Sequence, residues 1–96
     1  MKFAVCVTFR IVPEHFGRFM ELMIENASAS LANEIDCHQF DVCTDGDRPY
    51  EVFLYETYAS RDAFDVHLQT KHFKMFNAET KGMIEDKQIK IYDSVN

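Results

Sequence analysis

A chain of 96 residues allows one small domain, and such a domain buries only part of its surface on its own. Hydrophobic residues make up 47% of it, with nine Phe and four Tyr, so a ligand cavity or a partner subunit is expected to cover some of them. The net charge of −6 argues against nucleic acid or an anionic membrane as partner, and no apolar run approaches the roughly 20 residues of a membrane span.

The first strand is preceded by no basic-then-apolar signal segment. Cys6, Cys37 and Cys43 are odd in number and lack a CxxC spacing, which points to reduced thiols and a cytoplasmic protein. Free cysteine is ordinarily a small core residue, and all three are read that way.

Phe3 to Ile11 alternates. Phe3, Val5, Val7, Phe9 and Ile11 face one way, while Ala4, Cys6, Thr8 and Arg10 face the other, so this strand is expected to be covered on both sides. Pro13 suits the first turn of a helix, where its missing N–H costs nothing. Phe16, Phe19, Met20, Met23, Ala27 and Leu31 then follow as one apolar stripe on a helix of about 18 residues. Asn26 sits at the edge of that stripe, and its plain reading is a solvated polar residue.

Asp36 to Thr44 is the second strand, with Phe40 and Val42 on its apolar side. The segment Asp45–Pro49 is a turn, short enough to imply a hairpin to a third strand, Tyr50 to Tyr58. Val52, Leu54, Glu56 and Tyr58 share one face of that strand; Phe53, Tyr55 and Thr57 share the other. A carboxylate in such a row, Glu56, needs a partner or access to water.

Ser60 and Thr70 are both good N-caps, so the next region divides into a short helix, 60 to about 68, and a longer one, 70 to 83. Lys87 to Asp93 closes as a fourth strand with Ile89 and Ile91 inward. The order is the βαββαβ, ferredoxin-like α+β arrangement over residues 1–96: a four-stranded antiparallel sheet with helices on one face. The other sheet face is expected to pack on a second copy as a two-fold homodimer.

Chemistry concentrates between Tyr50 and Phe76, where aromatic residues, two histidines and a strand carboxylate meet at a helix junction. No metal site is expected. Zinc-binding helical histidines stand four apart, whereas the spacing of His67 and His72 separates the rings by about 140° on a continuous helix. A neutral histidine among aromatics can instead take or return a proton near working pH. Taken singly, each histidine reads plainly as a half-buried residue bonded to backbone or a carboxylate. His15 and His38 lack such surroundings. Three scattered glycines cannot build a phosphate loop or a dinucleotide fingerprint, so neither nucleotide nor flavin is expected.

Glu25-Asn26 with Ser30 and Glu34, then Phe40-Asp41-Val42, then Tyr55-Glu56, Tyr58, Ala63-Phe64, His67, Thr70 and His72-Phe73 resemble the antibiotic biosynthesis monooxygenase family. The resemblance implies a dimeric α+β barrel and spans nearly the whole chain. It looks closest to the branch holding cofactor-free quinol monooxygenases and an isomerase of a phosphorylated autoinducer derivative. Heme-degrading members carry a Trp after the third strand; this chain has no Trp, and Tyr58 stands in that place. By resemblance, Asn26 is an oxyanion or substrate hydrogen-bond partner, His67 or His72 the base, and Tyr55 or Tyr58 a donor. Phe40, Glu56, Phe73 and Phe76 would contact substrate. The activity implied is oxidation of a small aromatic quinol or phenol by O₂ without cofactor. The alternatives are proton-transfer isomerisation of a small phosphorylated dione, or a dimeric binder with no chemistry.

Overall fold

The structure is a computed structural model and describes residues 2–96. Strand β1 (Lys2–Ile11) leads through a single 3-10 turn, Pro13–His15, into helix α1 (Phe16–Asn33). A hairpin of β2 (Cys37–Asp45) and β3 (Arg48–Tyr58) follows, then α2 (Arg61–Leu68), α3 (Lys71–Glu79) and β4 (Ile84–Val95). The strands lie in the order β2-β3-β1-β4, every neighbouring pair antiparallel. This is the ferredoxin-like βαββαβ arrangement expected, with its second helix broken in two.

Alternation in β1 decides what lies under the helices. Phe3, Val5, Val7, Phe9 and Ile11 are all buried, and four of them stand opposite Tyr58, Glu56, Leu54 and Val52 of β3. Directly opposed residues share a face, so Glu56 and Tyr58 point into the same apolar layer as the β1 set. The helices cover that layer, and Phe19 of α1 packs edge-on against both Phe9 and Phe76.

Three local departures matter for the site. Leu31 is 47% exposed rather than part of the α1 stripe. Each four-residue step overshoots a full turn by about 40°, so from Phe19 to Leu31 the line swings about 120° off the core. The buried line steps back instead through Leu22, Asn26 and Ser30, which places two polar side chains inside. Secondly, α3 ends at Glu79 rather than running to Met83. Thr80 turns its hydroxyl back to the Phe76 carbonyl, and the chain reverses through Gly82 at φ +93, a conformation that favours glycine. Thirdly, Ile89 and Ile91 face inward as expected but are 50% and 41% exposed. Register puts them on the helix-bearing face, opposite Val7 and Val5, but β4 is an edge strand beyond the helices' reach.

No helix among the described residues is long and apolar enough to cross a membrane.

Candidate active site

Three element ends converge on one carboxylate. Glu34 is the C-cap residue of α1, extended at φ −109 and ψ 103, so its side chain leaves the helix direction. His67 lies in the last turn of α2, and His72 in the first turn of α3. Ser60 caps α2 by accepting from the Ala63 N–H. Thr70 caps α3 by accepting from the Phe73 N–H, and the same hydroxyl donates to the His67 carbonyl at 2.7 Å. One threonine therefore ties the end of α2 to the start of α3.

That break, expected from the two caps, frees His67 and His72 from the roughly 140° separation a continuous helix would impose. Across the junction the two rings come within 6.0 Å of each other, centre to centre, and both reach Glu34. His67 Nδ1 is 2.9 and 3.1 Å from the two carboxylate oxygens, and His72 Nε2 is 2.5 Å from Oε2. The ligand atoms of Glu34, His67 and His72 all lie within 4.8 Å of one another, so these are the described residues that could hold a divalent ion.

Hydrogen-bond directions follow from the neighbours. The Ser30 hydroxyl donates to the Asn26 carbonyl at 2.8 Å, so toward His72 Nε2, at 3.2 Å, it accepts. His72 therefore carries a proton on Nε2 and donates to Glu34. His67 Nδ1 donates to the same carboxylate, which leaves Nε2 of a neutral His67 with its lone pair and no partner among the described residues. Burial, at 2% exposure, pushes the His67 pKa below its ordinary value; the Glu34 hydrogen bond opposes this more weakly.

Between helices and sheet lies a cavity of about 60 Å³. Its aromatic lining includes Phe40, Phe64, Phe73 and Phe76, and its polar lining is Asn26, Glu56, His67, Asn77 and, at the mouth, Lys87. The Phe73 and Phe40 rings stand 5.1 and 5.9 Å from His67, and Phe64 is stacked at 6.2 Å. Asn26 is not solvated: it is 5% exposed, lines this cavity, and its Oδ1 has no hydrogen-bond partner. A buried carbonyl oxygen left unpaired is costly and is found where a ligand or water completes it.

Glu56, 4% exposed, does find a partner: the Tyr58 hydroxyl donates to it at 2.5 Å. Burial pushes the Glu56 pKa up to about 7, against the pull of the Tyr58 hydrogen bond. Burial, with the Glu56 carboxyl beside it, also holds the Tyr58 phenol well above its usual range, so it stays a donor. Cys37, buried close by, is pushed up to about 12 by the same loss of water and is not a nucleophile.

Of the expected residues, Asn26, Phe40, Glu56, His67, Phe73 and Phe76 line the cavity. Tyr58 stands behind Glu56. His72 lies behind Glu34 and lines a separate groove with Leu22, Asn26 and Met75. Tyr55 does not join them. Its neighbours across the sheet are Cys6 and Asp41, on the face away from the helices, as alternation from Glu56 requires. Glu34, named among the residues of the resemblance but given no role there, is the carboxylate on which both histidines converge.

Residues 2–79 match the sequence model of the family described as antibiotic biosynthesis monooxygenase. No curated protein matches the chain. Among solved structures it is similar to a protein of Nitrosomonas europaea described as a candidate antibiotic biosynthesis monooxygenase, at 21% identity and TM-score 0.92, covering 98% of this chain and 90% of that one. A Caulobacter crescentus CB15 protein described in the same way is 24% identical, with TM-score 0.92 and coverages of 99% and 91%. Rv0793 from Mycobacterium tuberculosis is 21% identical, with TM-score 0.89 and coverages of 100% and 97%. At these identities the structures attest the fold; the match over most of the sequence attests descent. The chain belongs to the antibiotic biosynthesis monooxygenase family.

Proposed function

We propose that the protein is a cofactor-independent monooxygenase that oxidises a small aromatic quinol or phenol-type substrate with O₂, within the quinol monooxygenase and isomerase branch of its family. The observation that carries this reading is a neutral His67, oriented by Glu34, with a free nitrogen, lining an aromatic cavity that an unpaired Asn26 Oδ1 also lines. A phenol that loses its proton becomes electron-rich enough to reduce O₂ directly, so the protein must supply a base, an oxyanion partner and a dry slot. His67 Nε2 takes the proton, and Glu34 stabilises the resulting imidazolium. The Asn26 Nδ2–H₂ is the group that donates to the developing oxyanion, while its unpaired Oδ1 accepts from a substrate hydroxyl, and the phenylalanines exclude water. For a hydroquinone the sum is substrate plus O₂ giving hydroxyquinone plus water.

Glu56 favours a second reading. With its pKa raised to about 7, it is an acid facing the cavity that His67 also lines, the pair that enediol isomerisation of a carbonyl compound requires. The working unit is read as a homodimer through the outer sheet face, where Phe53 and Tyr92 stand exposed. Oxygen uptake by the purified protein with a hydroquinone or anthrone tests the oxygenase. Uptake abolished in His67→Ala supports it; no uptake, with conversion of a phosphorylated dione followed by NMR, transfers the role to the isomerase.

A further inference from the structure

The cavity opens beside β4 into a broad groove of about 690 Å³, and Leu68, Phe73, Asn77, Ile84 and Lys87 line both. The groove's charges are one-sided. Lys74, Lys81 and Lys87 line it, and no Asp or Glu does, although the chain holds 16 acidic and only 10 basic residues. Half of the six lysines thus gather at the mouth of one cavity. None makes an ion pair among the described residues, and the nearest acid of α3, Glu79, is turned to Arg18 at 3.6 Å. Lys87 lies with its ammonium 5.5 Å from the centre of the Phe9 ring, at the boundary between apolar cavity and basic groove.

Three ammonium groups on one groove with no acid in its lining give it a positive potential, which an anionic group on a ligand complements. Because the cavity and the groove share lining residues, a ligand seated against His67 extends outward toward the lysines. We infer that the substrate carries an oxyanion substituent, carboxylate or phosphate, held by Lys74, Lys81 and Lys87 while its apolar ring occupies the cavity. This rests on the cavity being the substrate site, and it names the substrate class: an aromatic or carbonyl compound bearing an acid group. The lysines also steer such a compound to a basic mouth on an acidic protein.

The test is equilibrium binding without turnover, under anaerobic conditions. The probes are 1,4-dihydroxy-2-naphthoate, 1-naphthyl phosphate and the uncharged 1,4-dihydroxynaphthalene. One or both anions should bind roughly tenfold or more tighter than the neutral ring, which separates carboxylate from phosphate, and the preference should shrink as salt rises. Lys74→Gln, Lys81→Gln and Lys87→Gln together should bring the anions down to the neutral level with thermal unfolding unchanged, while Lys90→Gln leaves the preference intact. Equal affinity for charged and neutral rings, or a preference that survives the triple variant, overturns the inference and leaves the oxygenase reading standing. Lysine-dependent binding without oxygen uptake does the reverse. Binding of none of the three overturns both.

Discussion

Oε2 of Glu34 lies 2.9 Å from His67 Nδ1, and this contact between a helix cap and the last turn of another helix fixes which nitrogen of the imidazole is basic. A carboxylate on Nδ1 holds the tautomer and leaves Nε2 as the only proton acceptor.

Replacing Glu34 with Gln keeps the volume and removes the charge. Its amide can still accept from one ring but offers N–H to the other. Steady-state oxygen uptake should fall by about 10² or more in kcat/KM. Unfolding should also be easier by about 1–3 kcal/mol, because a buried ring N–H loses its acceptor. Unchanged kcat/KM in a folded Glu34→Gln protein would remove Glu34 from the mechanism.

Asn26 separates function from stability. Its Oδ1 is already unpaired in the folded chain, so Asn26→Leu deletes an unmet polar group at similar size. The variant is expected to melt at the same temperature or higher, gaining about 1 kcal/mol, while oxygen uptake drops by roughly 10². A loss of stability in calorimetry would mean that the carboxamide holds the fold rather than a ligand.

Glu56 writes a pH dependence into stability. Its pKa is raised from 4.5 to about 7, so the folded state keeps a proton that the unfolded chain gives up. The resulting stabilisation is full below pH 4.5 and is lost as pH rises to about 7, a difference of about 3 kcal/mol. Glu56→Gln still accepts from Tyr58 and cannot ionise. Denaturant titrations should therefore find it more stable than the parent at pH 8 and equal to it near pH 4. A variant whose stability tracks the parent at both values contradicts the raised pKa.

Thr70→Ala removes the hydroxyl that both caps α3 and grips the His67 carbonyl. It should cost about 1 kcal/mol in unfolding free energy, as lost caps do. Because the junction places both rings, kcat should fall by more than so small a cost implies, whereas Ser60→Ala, a comparable cap at the far end of α2, should leave kcat nearly unchanged.

Patterns of period two and the two helix caps made the frame readable. Val52, Leu54, Glu56 and Tyr58 share a buried face as alternation demands, and Ser60 and Thr70 start the helices they were expected to start. Leu31 was misplaced because a run of four-residue steps drifts around the helix. Ile89 and Ile91 take the expected face yet stay exposed, because a residue's face is local, while its burial depends on how far the helices extend. The cluster on Glu34 was illegible for a related reason. Periodicity describes side chains within one element, and Glu34, His67 and His72 meet through the ends of three.

The joint at Gln69–Thr70 gives the two imidazoles independent mountings. On an unbroken helix their relative bearing would be dictated by pitch, and moving one would drag the other. Here an insertion or deletion of a single residue at the joint would swing His72 to a new bearing and reset the Thr70 grip on the His67 carbonyl. The length of that short connection is thus an adjustable coordinate, through which descendants of this chain can retune the pair without rebuilding either helix.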